Sequence, residues 1–167
     1  MAMSPGITMI EILIVVGILL IVGGLTIIAS MDSFRSDSFQ DERSLLISVL
    51  QRARSQAISN VCLTTGTPCT DGMPHGVHIA TSAGVVTYTV FQGLTYVAAD
   101  PINEVIPARS KTLSVSGLTD VDFAQLSGKT TAIPVGATSI TLGDGQGHSS
   151  VITINVEGRI CWDDPTC

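Results

Sequence analysis

Apolar and polar residues divide the chain into three parts. Residues from Ile12 to Ala29 are almost continuously apolar and include no charged side chain. From Met31 to Val61, apolar residues recur at steps of three and four, and neither proline nor glycine interrupts them. Beyond Val61, short β-branched runs alternate with turn residues. The pattern predicts an apolar helix, then an amphipathic helix, then a β-rich head.

The two helical patterns are continuous and predict one long helix. Residues 7–30 would form about 36 Å of helix, more than the roughly 30 Å hydrocarbon core of a membrane. The following segment, residues 31–61, has an apolar stripe on one side and polar residues such as Arg43 and Arg54 on the other. We expect this stripe to pack on the head. It consists of Leu46, Val49, Leu50, Ala53, Ala57, Ile58 and Val61.

The head, residues 62–167, has the pattern of antiparallel β-structure. Its β-branched runs are separated by short turns containing Gly, Asn or Asp, and no helical pattern lies between them. Strands are predicted at Val77–Thr81, Val85–Phe91, Thr112–Ser116, Val121–Phe123, Ser139–Leu142, Val151–Val156 and Arg159–Trp162. The predicted fold class is therefore α+β: a long N-terminal helix, with a membrane half and an amphipathic half, packed on an antiparallel β-sheet head.

Charge limits the classes of partner. The chain has 167 residues, enough for one domain plus a segment, and a formal net charge of −6 at pH 7. Beyond Val61, four basic residues stand against nine acidic ones, which argues against nucleic acid as a partner because phosphate binding needs clustered Lys and Arg. Only a local basic patch of Arg109, Lys111 and Lys129 remains available.

Four cysteines, Cys62, Cys69, Cys161 and Cys167, all follow the apolar segment. An even number in a translocated domain predicts two disulfides, for which three connectivities exist. Pairing of neighbours would close two short loops and stabilise the head by roughly 2–3 kcal/mol for each loop. A pairing that ties the C-terminus to the end of the helix stays open.

Other candidate chemistry is sparse. Cys62 and Cys69 lie near His75 and His78, but their spacing matches no common zinc template. The turn aspartates Asp144, Asp163 and Asp164 are calcium candidates without the spacing of an EF-hand. The histidines adjoin no nucleophile pattern. We expect no metal, no cofactor and no enzymatic activity.

One acidic side chain lies near the start of the apolar segment. Residues 6–11 read Gly-Ile-Thr-Met-Ile-Glu, so Glu11 follows Gly6 by five positions. A carboxylate in hydrocarbon costs at least about 2.5 kcal/mol, and such a residue indicates a function. A secretory signal peptide would need a basic N-terminal region, which residues 1–6 lack. A plain signal anchor would fit the length but would explain neither Gly6 nor Glu11.

This motif resembles the type III signal of type IV pilins and pseudopilins. The strand containing Gly-Val-His-Ile and the closing Ile-Thr-Ile-Asn-Val-Glu-Gly-Arg-Ile are similar to H-type minor pseudopilins and fimbrial-T minor pilins. The resemblance implies a leader of residues 1–6, cleavage between Gly6 and Ile7 by a prepilin peptidase, and methylation of the new amino terminus. Glu11 would then pair with the α-ammonium group of a neighbouring subunit.

The resemblance also implies a function and a location. The chain would be a structural subunit, a minor pilin or pseudopilin, of a type IV pilus or a type II secretion-like filament. Its partners would be other pilin or pseudopilin subunits, the prepilin peptidase, the inner-membrane assembly platform and, before assembly, the bacterial cytoplasmic membrane, with the head extracytoplasmic. The filament would be a pilus or a periplasmic or extracellular filament. The alternatives are a major pilin, a DNA-uptake minor pilin and a signal-anchored envelope enzyme.

Overall fold

The computed structural model describes residues 8–63, 73–130 and 139–164, without the side chains of residues 25–33. Helical backbone extends over Met9–Ser59 and is called α1. Because the side chains of residues 25–33 are not described, its described side chains lie in two stretches, which we call the helical segments 9–24 and 34–59. The chain divides into two compact units, Met1–Asp37 and Ser38–Cys167. The first unit contains the segment 9–24, and the second contains most of the segment 34–59 together with the strands.

The described part of the second unit contains eight strands in two four-stranded sheets. The first sheet has the order β3-β2-β1-β5 and the second the order β4-β6-β7-β8, and all neighbouring strands are antiparallel. The strands are β1 (His75–Ser82), β2 (Val85–Gln92), β3 (Glu104–Pro107), β4 (Ser114–Gly117), β5 (Asp120–Phe123), β6 (Ser139–Gly143), β7 (Ser149–Ile154) and β8 (Ile160–Trp162).

Buried apolar residues alternate with other residues along the strands, which shows which face of each sheet covers the core. On β1, Val77 and Ile79 are buried in the main apolar cluster, as are Val121 and Phe123 on β5. The second sheet contributes alternate residues in the same way, including Ile140 and Leu142. Successive side chains point to opposite faces of a strand. One face of each sheet therefore covers a shared core, and the intervening residues lie on the other face.

The helical segment 34–59 contributes to this core and also makes polar contacts. Leu46, Val49, Leu50, Ala53 and Ala57 from the predicted stripe are buried in the apolar cluster, whereas the side chain of Ile58 is exposed. The polar residues of this segment are not simply solvated. Three of its arginines bond to the β-rich part: Arg43 to Asp163 at 3.1 Å, Arg52 to Glu104 at 2.6–2.7 Å, and Arg54 to the carbonyl oxygen of Gly128 at 3.3 Å.

The chain changes from one sheet to the other within a few residues after β4. The amide of Leu118 donates to the carbonyl oxygen of Ser139 on β6, and the carbonyl oxygen of Thr119 accepts from the amide of Ile79 on β1. Gly117 precedes this crossing with a φ of +103°. A Cβ atom at Gly117 would overlap the carbonyl oxygen of Ser139. Only glycine meets both conditions without strain.

The predicted fold class is wrong. The strands form two sheets instead of a single one, and the part of α1 that belongs to the same compact unit as the strands begins at Ser38, so no long helix packs on a sheet. The crossing after Gly117 separates two neighbours in sequence, because β4 pairs with β6 in the second sheet and β5 pairs with β1 in the first. Strand β3, which ends in Pro107, was not predicted. Within the described residues, no helix combines the length and hydropathy needed to cross a membrane.

We predict that Gly117→Ala destabilises the head more than Gly145→Ala. Both glycines have positive φ, but a Cβ at Gly145 would meet no atom within 4 Å. Gly145→Ala should cost about 1–2 kcal/mol of unfolding free energy from backbone strain alone. Gly117→Ala should cost about 1–3 kcal/mol more from overlap with the neighbouring strand. Denaturant unfolding of the full chain in non-ionic detergent measures both, and equal losses would contradict the role given to Gly117.

Candidate functional site

The helical segment 9–24 has an exposed apolar surface with one carboxylate. Its large apolar side chains, from Met9 to Val22, are 48% to 86% exposed. Glu11 is its single charged residue and lies in the first turn of α1, where its amide donates to the carbonyl oxygen of Thr8 at 3.0 Å. A carboxylate is favourable there because the helix N-terminus has a partial positive charge. Glu11 borders a shallow groove of about 250 Å³ formed with Ile12, Val15 and Val16.

Glycines leave space along the same segment. A Cβ atom at Gly17, Gly23 or Gly24 would meet nothing within 4 Å. Small residues on an apolar helix allow the backbone of a second helix to approach closely. The predicted cleavage residues, Gly6 and Ile7, lie outside the described residues.

The predicted disulfide cysteines fall into two groups. Cys62 and Cys161 are each disulfide-bonded. Cys69 and Cys167 lie outside the described residues, and the connectivity stays open. A sulfur in a disulfide has no thiolate to offer a metal. Cys62 is therefore not available as a zinc ligand.

The histidines and turn aspartates weighed as metal ligands have other partners or lie apart. His75 and His78 are three positions apart on β1, so they point to opposite faces of the sheet. Asp144 accepts hydrogen bonds from the amides of Gln146 and His148 within its own turn. Asp163 bonds to Arg43 and to the Ser150 hydroxyl. Within residues 8–63, 73–130 and 139–164, no cluster of three or more His, Cys, Asp or Glu side chains could hold a metal ion.

The basic residues considered for nucleic acid are partly engaged with acidic groups. Lys129 forms an ion pair with Glu157 at 2.9 Å. Arg109 borders a polar cavity of about 310 Å³ together with Asp41 and Glu42. These acidic neighbours lower the local positive potential that phosphate binding would require.

A second surface, which the sequence interpretation missed, lies on the outer face of the first sheet. Asp120 and Asp122 alternate with the core residues of β5 and therefore point away from the core. The register pairs Asp120 with His78 and Asp122 with Gly76. On the other side of β1, Phe91 is the partner of Gly76. We call this the acidic pocket, a cavity of about 390 Å³ lined by His78, Phe91, Leu94, Thr95, Tyr96, Asp120 and Asp122.

Aromatic rings form one wall of the acidic pocket. The rings of His78 and Tyr96 stack with centroids 3.8 Å apart and an interplanar angle of 9°. Phe91 meets Tyr96 edge-on, with centroids 5.7 Å apart. His78 Nδ1 lies 2.7 Å from Asp120 Oδ1. The hydrogen bond and the stacking together fix the orientation of the imidazole.

Asp122 is the more buried of the two carboxylates in the acidic pocket. The residue is 7% exposed, and its Oδ1 has no hydrogen-bond partner among the described residues. Burial, and secondarily the charge of Asp120, raise the pKa of Asp122 to about 6. The alternation Asp120-Val121-Asp122-Phe123 contained the signal for this pair. The sequence alone gave no register to place it against His78 and the aromatic rings.

We predict that Asp122 makes the head less stable as pH rises. Because the folded-state pKa of Asp122 lies above the ordinary value of 3.8, the unfolded chain binds fewer protons between about pH 4 and 6, and the free energy of unfolding falls across that interval. Asp122→Asn should raise the free energy of unfolding at pH 7 by about 3 kcal/mol and remove this contribution to the slope. Denaturant titrations at pH 4, 5, 6 and 7 test it, with Glu157→Gln as an exposed control. An unchanged slope in Asp122→Asn would contradict the assignment.

Comparison with known proteins assigns no family to this chain. No protein-family model matches it, and no curated protein or solved structure shows significant similarity to it. Three features of the chain point to a function: the exposed helical segment with Glu11, the acidic pocket, and the sequence motif around Gly6.

Proposed function

We propose that this protein is a structural subunit, a minor pilin or pseudopilin, of a type IV pilus or a type II secretion-like filament. The observation that carries the proposal is the exposed apolar surface of residues 9–24, whose large apolar side chains are 48% to 86% exposed around the lone carboxylate of Glu11. Large contiguous apolar surfaces mark sites that contact a membrane or another protein. Neighbouring copies of the same helix would cover this surface in a filament.

The glycines of the segment support packing between helices. The space beside Gly17, Gly23 and Gly24 would let a neighbouring helix approach closely, which is how apolar helices gain contact without bulky side chains. The groove formed by Ile12, Val15 and Val16 beside Glu11 could receive a side chain of such a neighbour. The same apolar surface would hold the subunit in the bacterial cytoplasmic membrane before assembly, with the head outside the cytoplasm.

Glu11 would specify the register between subunits. Packing of apolar helices around its carboxylate would remove it from water, and a buried charge is tolerated only with an opposite charge and hydrogen bonds. Cleavage after Gly6 would supply that charge, the α-ammonium group of Ile7. A prepilin peptidase would produce this terminus, and the inner-membrane assembly platform would bring it next to Glu11 of another subunit.

We predict that Glu11→Val blocks incorporation into filaments while processing and membrane insertion continue. The substitution removes the partner of the ammonium group but keeps the segment apolar, so the expected defect is specific to assembly. Asp37→Ala, which removes an exposed charge from the same helix, is the matched control and should assemble normally. Immunoblots of sheared filaments and membranes measure the distribution. Wild-type incorporation of Glu11→Val would contradict the pairing.

The cleavage step has its own test. We predict that the chain isolated from membranes and from sheared filaments begins at methylated Ile7. N-terminal peptide masses measure this directly. A dominant mature form in sheared filaments would indicate a major pilin, and a scarce one a minor subunit. A chain that retains residues 1–6 in a strain with an active peptidase would contradict the filament proposal and favour a plain signal anchor.

A further inference from the structure

The acidic pocket contains a buried carboxylate that the fold does not satisfy. Asp122 is 7% exposed, borders the cavity, and leaves Oδ1 without a partner among the described residues. Removing a carboxylate from water without a compensating donor or cation is costly. Nearby Asp120, whose own oxygens bond to His78 and to the Thr119 hydroxyl, adds negative charge instead of relieving it. The site is therefore short of positive charge.

The position opposite Asp122 on β1 must be glycine for the carboxylate and the aromatic ring to lie where they do. A Cβ atom at Gly76 would lie 2.6 Å from Asp122 Oδ1 and would also overlap the ring of Phe91. The absence of a side chain at Gly76 lets the carboxylate and the ring come together on the outer face of β1. An aromatic ring beside a carboxylate combines two groups that attract cations, one through its charge and one through the electrons of its face.

We propose that the acidic pocket binds an organic cation, an ammonium or guanidinium group, whose N–H donors pair with Asp122 while the cation and its alkyl stem lie against Tyr96 and Phe91. This inference does not rest on the filament proposal. A free metal ion fits less well, because the described residues contain no cluster of three or more His, Cys, Asp or Glu side chains that could hold one. An anion would be repelled by Asp120 and Asp122.

The shape of the acidic pocket suits a side-chain-sized ligand. Its volume is about 390 Å³, and its rim includes Leu94, whose side chain is 74% exposed. Apolar walls with a few polar groups are typical of sites for small organic groups. The same cation could belong to a free amine or to a Lys or Arg side chain of another protein. The net charge of −6 favours the approach of either source.

The titratable groups around Asp122 set the pH dependence of binding. Asp120 lies on the same strand, His78 on β1 and Tyr96 in the connection after β2. A bound cation stabilises the ionised carboxylate, and burial holds the pKa of Asp122 at about 6 in the unliganded protein. Affinity should therefore rise as pH increases from 5 to 7, with release of a proton on binding at the lower pH.

The test is calorimetric titration of the full chain in non-ionic detergent at pH 5 and 7. The probes are N-acetyl-lysine methylamide and N-acetyl-arginine methylamide, which present single side-chain cations, and cadaverine, a free diamine. We expect saturable binding of at least one probe, tighter at pH 7. Preference for the capped amino acids would assign the site to a protein side chain, and preference for cadaverine would assign it to a free amine.

Matched variants separate the acidic pocket from general charge. Asp122→Asn keeps the shape of the side chain and should weaken binding by about tenfold or more. Tyr96→Leu should weaken binding by about threefold or more through loss of the ring. Glu157→Gln removes the same charge from an exposed position and should bind like the wild type. No heat from any probe, or a loss of less than about threefold in Asp122→Asn, would overturn the proposal, as would an equal loss in Glu157→Gln.

Discussion

The turn at Gly117 is the constraint on which the arrangement of the head depends. Within a few residues the backbone leaves a strand of the second sheet, donates from Leu118 to Ser139, and offers the carbonyl oxygen of Thr119 to the first sheet. A side chain at Gly117 would overlap the backbone of the neighbouring strand, and the required φ of +103° lies outside the range of other residues. Because the crossing is so short, β5 must begin at Asp120, at the edge of the first sheet. That start brings Asp120 opposite His78 and Asp122 opposite Gly76.

Several buried polar groups in the head lower its free energy of unfolding. Glu42 is 1% exposed, and its Oε1 accepts a hydrogen bond from the amide of Ser110 at 2.6 Å, whereas Oε2 has no partner among the described residues. Burial, and secondarily the charge of Glu42, raise the pKa of Tyr88. Burial also lowers the pKa of His75. Buried polar groups without partners cost free energy of folding. Asp122 is one of several such groups in the head, and it differs from Glu42 because it borders a cavity lined by aromatic rings.

The apolar helical segment and the acidic pocket differ in what they lack. The apolar segment of residues 9–24 exposes apolar side chains that water solvates poorly, and its one carboxylate is costly to place in hydrocarbon. Association with copies of itself would cover the apolar side chains and give the carboxylate an opposite charge. The acidic pocket instead holds two carboxylates on one face of a folded sheet. Its requirement is for a cation with an apolar stem. A filament subunit with such a pocket would have one surface for assembly and another for recognition.

The sequence by itself determined the local features of this protein. Three- and four-residue periodicity marked the buried stripe around Leu50, and β-branched alternation marked strands close to those observed, because side-chain direction follows from backbone period alone. The edge strand β3 was missed because it ends in Pro107, and a proline within a short apolar run argues against a strand. Only the tertiary structure decided that the strands form two sheets and that His78, Tyr96, Asp120 and Asp122 share one pocket. Pairing between distant strands depends on one glycine turn and on register, and neither leaves a periodic signal in the chain.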